Sequence, residues 1–441
     1  MLVFAFPLLL SGFLQLSFNA ADMAVIGRFA SVESLGAVGA TSSLCYFLIT
    51  IAVGLAIGVN VVVAQSIGAK DKERTSRAVH TSMLLALVCG AVLLVVGLFA
   101  ARPLLELMRV PEDVFERSNL YLSIFTLSIP GTIFYNFGAA ILRSTGDTKR
   151  PLYYLLVSGV TNVALNLLFV IGFQLDVAGV AWATVLSQLI AAFLVGNALH
   201  HEKGAIRLVF SKLRFDREHV YNLLRIGLPA SGQSACFSIS NMIIQGAVNT
   251  LGTLVVAGNT ASSSLEGFVY FIGGTFSQAA ISIVGQNYGG NRPKRIMRSV
   301  NLCNLSSTVA MLVGSAVMIA YGRTCLRLFT SNPEAIEWGF KRMVIMLPVN
   351  FIGAAMDIYS SALRGIGRSM APTAITFFFV IIMRIVWVFC VFPVWPTLTC
   401  LMLSYPITWT MATIGDIWLF NRAMHSIYGR DLQAIRPKKT A

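Results

Sequence analysis

The chain has 441 residues, 56% of them hydrophobic and 12% charged, with a mean hydropathy of +0.74; soluble domains carry roughly a quarter charged residues, so a soluble globular protein is excluded. Lys and Arg number 33 against 19 Asp and Glu, a net charge of +14, which in a soluble chain would point to nucleic acid. The seven cysteines form no CxxC pair and sit mostly in apolar runs, so neither a metal site nor a disulfide framework is expected.

Apolar runs long enough to cross about 30 Å of hydrocarbon recur along the whole length. They predict twelve helices, at 2–27, 36–68, 78–101, 119–142, 152–173, 177–199, 222–250, 254–289, 299–322, 343–363, 371–393 and 397–423. The first run has no positive residues ahead of it, its first charge being Asp22, so it reads as helix 1 and not as a signal peptide. Ser11, Gln15, Asn19 and Asp22 form one polar stripe along it. Helix 5 carries Ser158, Asn162 and Asn166 at four-residue spacing. Helix 7 carries Ser234, Ser238, Asn241, Gln245 and Asn249; helix 8 carries Glu266, Tyr270 and Ser277; helix 10 carries Asn350, Asp357 and Ser361. Pro7, Pro130, Pro229 and Pro348, in helices 1, 4, 7 and 10, mark expected bending points, because proline cannot donate the backbone bond of a helix interior.

Basic residues accumulate on the cytoplasmic side of membrane proteins. Of the 33, 24 fall in the loops after helices 2, 4, 6, 8 and 10 and in the tail, eight fall on the opposite side, Arg342 among them, and Arg384 lies inside helix 11. Both termini are therefore expected in the cytoplasm, the positive charge is a topology signal with no nucleic-acid partner, and Arg436, Lys438 and Lys439 read first as a solvated end, with contact to anionic lipid as the alternative. The chain also repeats. VAQSIGAKDKERTSRAV from Val63 aligns with VGQNYGGNRPKRIMRSV from Val284, ILRSTGDTKRP aligns with ALRGIGRSMAP at the same displacement of 221, and one residue further Pro7 pairs with Pro229 and Asn19 with Asn241. The expected architecture is an all-α integral membrane protein of two parallel six-helix repeats forming two lobes, because an even number of spans returns the second copy in the same orientation. The lobes are assigned to residues 1–200 and 222–423, with a linker at 201–221 and a tail at 424–441.

Ser and Thr within spans commonly serve as interhelical hydrogen bonds. Carboxylates differ: an ionised one at mid-membrane costs about 2.5 to 3.5 kcal/mol, and burial favours the neutral form, so an intramembrane acid is a candidate proton carrier. Asp22 is the first such candidate, and Asp357 and Glu266 are candidate cavity acids. Arg384 either pairs with one of them or holds helix 11 to its neighbours, and Asp416 reads as structural. No GxSxG, HExxH or P-loop is present and the five histidines form no ligand cluster, so no enzyme is expected and an ion-driven secondary transporter is.

These residues resemble the multidrug and toxic compound extrusion (MATE) transporters, prokaryotic type. The carriers are FPLLLSGFLQLSFNAADMAVIGRF in helix 1, VAQSIGAKDKER, AAILRSTGDTKRP, GLPASGQSACFSISN, VGQNYGGNRPKR and SALRGIG, in order along the whole chain. The resemblance implies two six-helix lobes and antiport of cationic or amphipathic compounds against protons or sodium ions in the plasma (inner) membrane, by alternating access and without any other cofactor. It places Asp22, with Asn19, Asn162 and Asn166, at ion coupling in the first lobe; Glu266, Asp357, Asn241, Gln245 and Tyr270 are expected to line a substrate cavity. One departure concerns helix 5, where members using this site often have a second carboxylate and this chain has Asn166. Another is Gly367-Arg368-Ser369-Met370 in place of a second GDTK. Proton and sodium coupling, and coupling in either lobe, stay open at this point. The alternative function is a flippase for a lipid-linked precursor, which would want a strongly cationic cavity. Small molecules and membrane lipids are the expected partners, and nothing demands more than a monomer.

Overall fold

The computed structural model describes residues 2–108 and 110–433. Among these the secondary structure is helical, in chain order α1 Leu2–Phe29, α2 Val32–Gly68, α3 Lys72–Leu107, α4 Glu112–Thr126, α5 Ile129–Ser144, α6 Lys149–Leu167, α7 Asp176–His201, α8 Arg217–Asn249, α9 Thr253–Gly289, α10 Pro293–Ala320, α11 Gly322–Leu326, α12 Pro333–Met346, α13 Asn350–Gly365, α14 Met370–Thr376, α15 Met383–Val386 and α16 Leu398–Gln433. Nine helices or continuous helical runs among the described residues are long and apolar enough to cross a membrane, and the bent pair α4–α5 makes a tenth. The other two expected spans, within α8 and α16, are helices of 33 and 36 residues whose polar side chains hold them below that measure.

Local chemistry explains where these helices begin and break. Asp71 accepts the Arg74 amide at 2.9 Å and starts α3; Asn332 accepts the amides of Glu334 and Ala335 ahead of Pro333 and starts α12. These are N-caps that satisfy amides with no helical acceptor. Of the four prolines expected to bend helices, Pro7 and Pro229 lie inside continuous helices. Pro130 stands at the 41° bend between α4 and α5, and Pro348 lies in the 3-10 turn 347–349 that separates α12 from α13. Residues 168–172, 377–382 and 387–391 are π-helical, so the end of the fifth span and both the middle and the end of the eleventh are wound more widely than an α-helix.

The boundaries differ from expectation most at the tenth span. It was expected to start at 343; with its cap at Asn332 it starts ten residues earlier, which moves Lys341 and Arg342 from a loop into a helix. The tail residues Arg436, Lys438 and Lys439, with their alternatives of a solvated end or a lipid contact, lie outside the described residues.

The chain divides into two compact units, one spanning Leu2–Ser231 and the other beginning at Gly232. In the first, α1 packs on α6, α2 on α4 and α5, and α6 on α7. Close approach of α2 to the opening turns of α8 depends on glycine: a Cβ on Gly58 would stand 2.4 Å from the Leu223 carbonyl oxygen. The segment between α7 and α8 is tied to α3. The Val209 amide donates to His80 Nε2 at 3.1 Å, Thr81 Oγ1 donates to the Arg214 carbonyl at 3.1 Å, and the Asp216 amide donates to Thr81 Oγ1 at 3.2 Å. Within the second unit, α9 is the central helix, packed on α10, α12 and α13 through Val269, Met311, Met343, Leu347 and Ala354. On its far side α13 meets α16, where Met356, Trp409 and Ala412 are buried.

Candidate functional site

In the first unit, α1 and α6 bring the expected stripes together. Asn166, fully buried, donates from Nδ2 to Asp22 Oδ1 and also to Asn162 Oδ1 at 3.3 Å. Asn162 in turn lies with its Nδ2 3.4 Å from Ser187 Oγ, which donates to the Thr184 carbonyl at 2.9 Å. Four-residue spacing on α6 puts Ser158, Asn162 and Asn166 on one face, so a single line of hydrogen bonds runs from Asp22 through α6 to α7. Asn19 is exposed and takes no part in it. Ser187 and Thr184 of α7 carried no signal in the sequence beyond being polar residues in a span.

The second unit separates the expected cavity residues into two groups. Glu266 of α9 is bound by Arg342 of α12 in a two-pronged pair, Nε to Oε1 at 3.0 Å and Nη2 to Oε2 at 2.9 Å. Both side chains are about nine-tenths buried, and Ser262 Oγ adds a bond to Oε1 at 2.8 Å. Arg342 also donates from Nη1 to Asn259 Oδ1, while Asn259 Nδ2 donates to Gln245 Oε1 at 3.0 Å and Gln245 Nε2 donates to Asn249 Oδ1 at 2.8 Å. Glu266 and Gln245 thus belong to one network, which runs from the buried pair out to exposed Asn249 and in which the acid's charge is matched by a guanidinium. The sequence signal for that partner was the Asn332-Pro333-Glu334 cap, which fixes the start of α12 and puts Arg342 well inside it.

Asp357 stands apart. Its Oδ2 accepts the Tyr270 hydroxyl at 2.6 Å, and its backbone carbonyl accepts Ser277 Oγ at 3.0 Å, with Ser277 and Ser361 hydroxyls 2.7 Å apart. Tyr270 is exposed and Asp357 half-buried. Helix α13 thereby offers a carboxylate whose side-chain hydrogen-bond partner among the described residues is neutral. Asp416 of α16 is buried and accepts Ser360 Oγ at 2.7 Å.

Arg384 of α15 is fully buried and has no carboxylate partner among the described residues; of the two roles open to it, it bonds to neighbouring helices. Its Nη1 reaches Ser240 Oγ at 3.0 Å and Asn241 Oδ1 at 3.3 Å on α8, and its Nε reaches Thr408 Oγ1 at 3.3 Å on α16. Its guanidinium lies 4.0 Å from the centroid of the Tyr405 ring.

Comparison with known proteins agrees with the repeat. The MatE family profile matches residues 7–168 and again residues 229–390, a displacement of 222 that pairs Pro7 with Pro229. The chain is 29% identical to "Probable multidrug resistance protein YoeA" of Bacillus subtilis over 390 residues, 86% of this chain and 83% of that protein. It is 23% identical to "Probable multidrug resistance protein NorM" of Thermotoga maritima over 85% of this chain and 81% of that one. A solved outward-facing structure of a multidrug resistance MATE family transporter superposes with a TM-score of 0.89 at 21% identity, covering 96% of this chain and 94% of the other. With both halves matched in order, the chain belongs to the MatE family of multipass membrane transporters and is not an enzyme.

Proposed function

We propose that the protein is a secondary antiporter of the plasma (inner) membrane that exports cationic or amphipathic small molecules by alternating access, coupled to inward movement of protons. The carrying observation is Asp22: a carboxylate in an apolar helix whose hydrogen-bond partner is the neutral amide of Asn166. With no base beside it among the described residues, its protonation follows its access to water, and a conformational change that opens or closes α1 exchanges a proton. One proton driven through about 100 mV gains about 2.3 kcal/mol, enough for an export gradient of over tenfold in a neutral compound.

Cation recognition falls on Asp357 and Tyr270, since Arg342 already neutralises Glu266. The distribution of basic residues supports cytoplasmic termini, and a monomer suffices for both sites. The flippase alternative draws no support from the comparisons. Efflux of cationic dyes from inverted vesicles under separate proton and sodium gradients tests the reading: Asp22→Asn should abolish gradient-driven export while leaving dye binding intact. Export that persists in this variant and fails in Asp357→Asn would move coupling to the second unit.

A further inference from the structure

The duplicated halves put opposite charges into the same pair of helices. In the first unit the pair is α1 and α6, and the charged residue is Asp22 on the first member, bonded to Asn166 on the second. The corresponding pair in the second unit is the later part of α8 and the run holding α15. There the position of Asn19 is taken by Asn241, and the displacement of 221 that pairs Pro151 with Pro372 puts Arg384 one residue beyond the position matching Asn162. The charge has changed sign and moved to the partner helix.

Arg384 is also incompletely matched. Its contacts are neutral, and Nη2 is buried without a hydrogen-bond partner among the described residues. A guanidinium has five donors and no acceptor, so it is satisfied only by oxygen, and best by an anion taken in two-pronged fashion. Two donors already converge on one neutral acceptor: Arg384 Nη1 and the Tyr405 hydroxyl both lie 3.3 Å from Asn241 Oδ1. Asn241 is the exposed member of this group. An incoming oxyanion that displaced the Asn241 amide oxygen would meet Nη1, the free Nη2 and the Tyr405 hydroxyl together.

We infer that Arg384, Tyr405 and Asn241 form a binding site in the second unit for an oxyanionic group of the transported compound, a carboxylate or a phosphate. Asp357 and Tyr270 in the same unit take a cationic group, so this unit is suited to zwitterionic compounds as well as simple cations. The inference rests on the export reading only for the statement that the ligand is cargo; binding at Arg384 is tested separately.

The test uses the full chain in lipid nanodiscs and two dyes that differ in one group, rhodamine B with its free carboxylate and its ethyl ester. Fluorescence anisotropy should show the acid binding at least about tenfold more tightly than the ester, the lower end of what a charge-assisted hydrogen bond contributes. Arg384→Gln should erase the preference while ester affinity holds. Asn241→Asp, which supplies a built-in carboxylate and leaves the guanidinium in place, should erase it too. Benzoate and phenyl phosphate, added separately, should each be tried as competitors: the one that displaces rhodamine B identifies the preferred oxyanion. That compound should also raise the unfolding temperature of the wild type but not of Asn241→Asp, a readout that stands even if neither dye is bound. Equal binding of acid and ester by the wild type, with neither anion shifting its unfolding temperature, would overturn the inference. So would an undiminished preference in Asn241→Asp, whatever the glutamine variant does. Failure of both dyes to bind, with an anion still shifting the unfolding temperature, would instead count against the export reading.

Discussion

Arg342 and Glu266 meet side-on inside the second unit, their two contacts at 2.9 and 3.0 Å joining α12 to α9. Removing one partner of such a buried pair strands the other charge and costs about 3–5 kcal/mol, whereas replacing both by apolar groups is far milder. Glu266→Gln and Arg342→Met alone should each lower the unfolding temperature markedly, and the double variant Glu266→Leu/Arg342→Met should recover most of the loss. A double variant as unstable as the sum of the singles would show that the pair does not act as a unit.

The hydrogen bond from Asn166 to Asp22 predicts a contrast within one stripe. Asn166→Leu removes the carboxylate's donor and should weaken ion-coupled export by about tenfold, in line with about 1.5 kcal/mol for a bond to a charged group. Asn19→Leu, on an exposed side chain outside the chain of bonds, should stay within about twofold of wild type. Initial rates of dye efflux in matched vesicles distinguish the two, and equal effects would dissociate Asp22 from α6.

Asp357→Asn and Tyr270→Phe should weaken binding of organic cations by about tenfold and binding of neutral compounds little, since the lost interaction is with charge. Equal loss for both ligand classes, measured by anisotropy, would indicate folding damage.

Asp216, at the start of α8 outside the membrane, predicts a pH response of the linker. The His219 imidazole 3.0 Å away and the amides of His219 and Glu218 hold its carboxyl below the ordinary value of 3.8. A depressed folded value means the contribution is complete above about 3.8 and is lost as pH falls through the folded value. Protease cutting within 202–216 should therefore be unchanged from neutral pH down to about 4 and rise below it. Asp216→Ala should raise cutting at neutral pH, as loss of an N-cap costs about 1 kcal/mol.

The elements and the repeat were legible because apolar length and displaced loop motifs are local properties of the chain. VAQSIGAKDKER and VGQNYGGNRPKR announce the duplication wherever their helices pack. The Asp22 stripe was legible for the same reason, with its partner on helix 5 visible as Ser158, Asn162 and Asn166. What sequence could not supply was pairing between helices. Arg342, counted with the loop charges, becomes the counter-ion of Glu266 only once the cap at Asn332 lengthens α12 and α12 packs on α9. Arg384 likewise finds Ser240, Asn241 and Thr408 through packing of α8, α15 and α16, with no spacing to announce it.

The π-helical stretches have a mechanical consequence. A wide turn replaces the regular ladder with longer-reaching bonds, and such turns are where helices deform. The stretches at 168–172 and 387–391 close the fifth and the eleventh span, while 377–382 stands directly ahead of α15. The helix segment bearing Arg384 is therefore a four-residue α-helical piece with a wider turn on each side, the kind of place where a helix deforms. The Asn162–Asn166 face of α6 has such a stretch on one side only, so the helix that donates to Asp22 leaves regular winding once and the one that carries Arg384 leaves it twice.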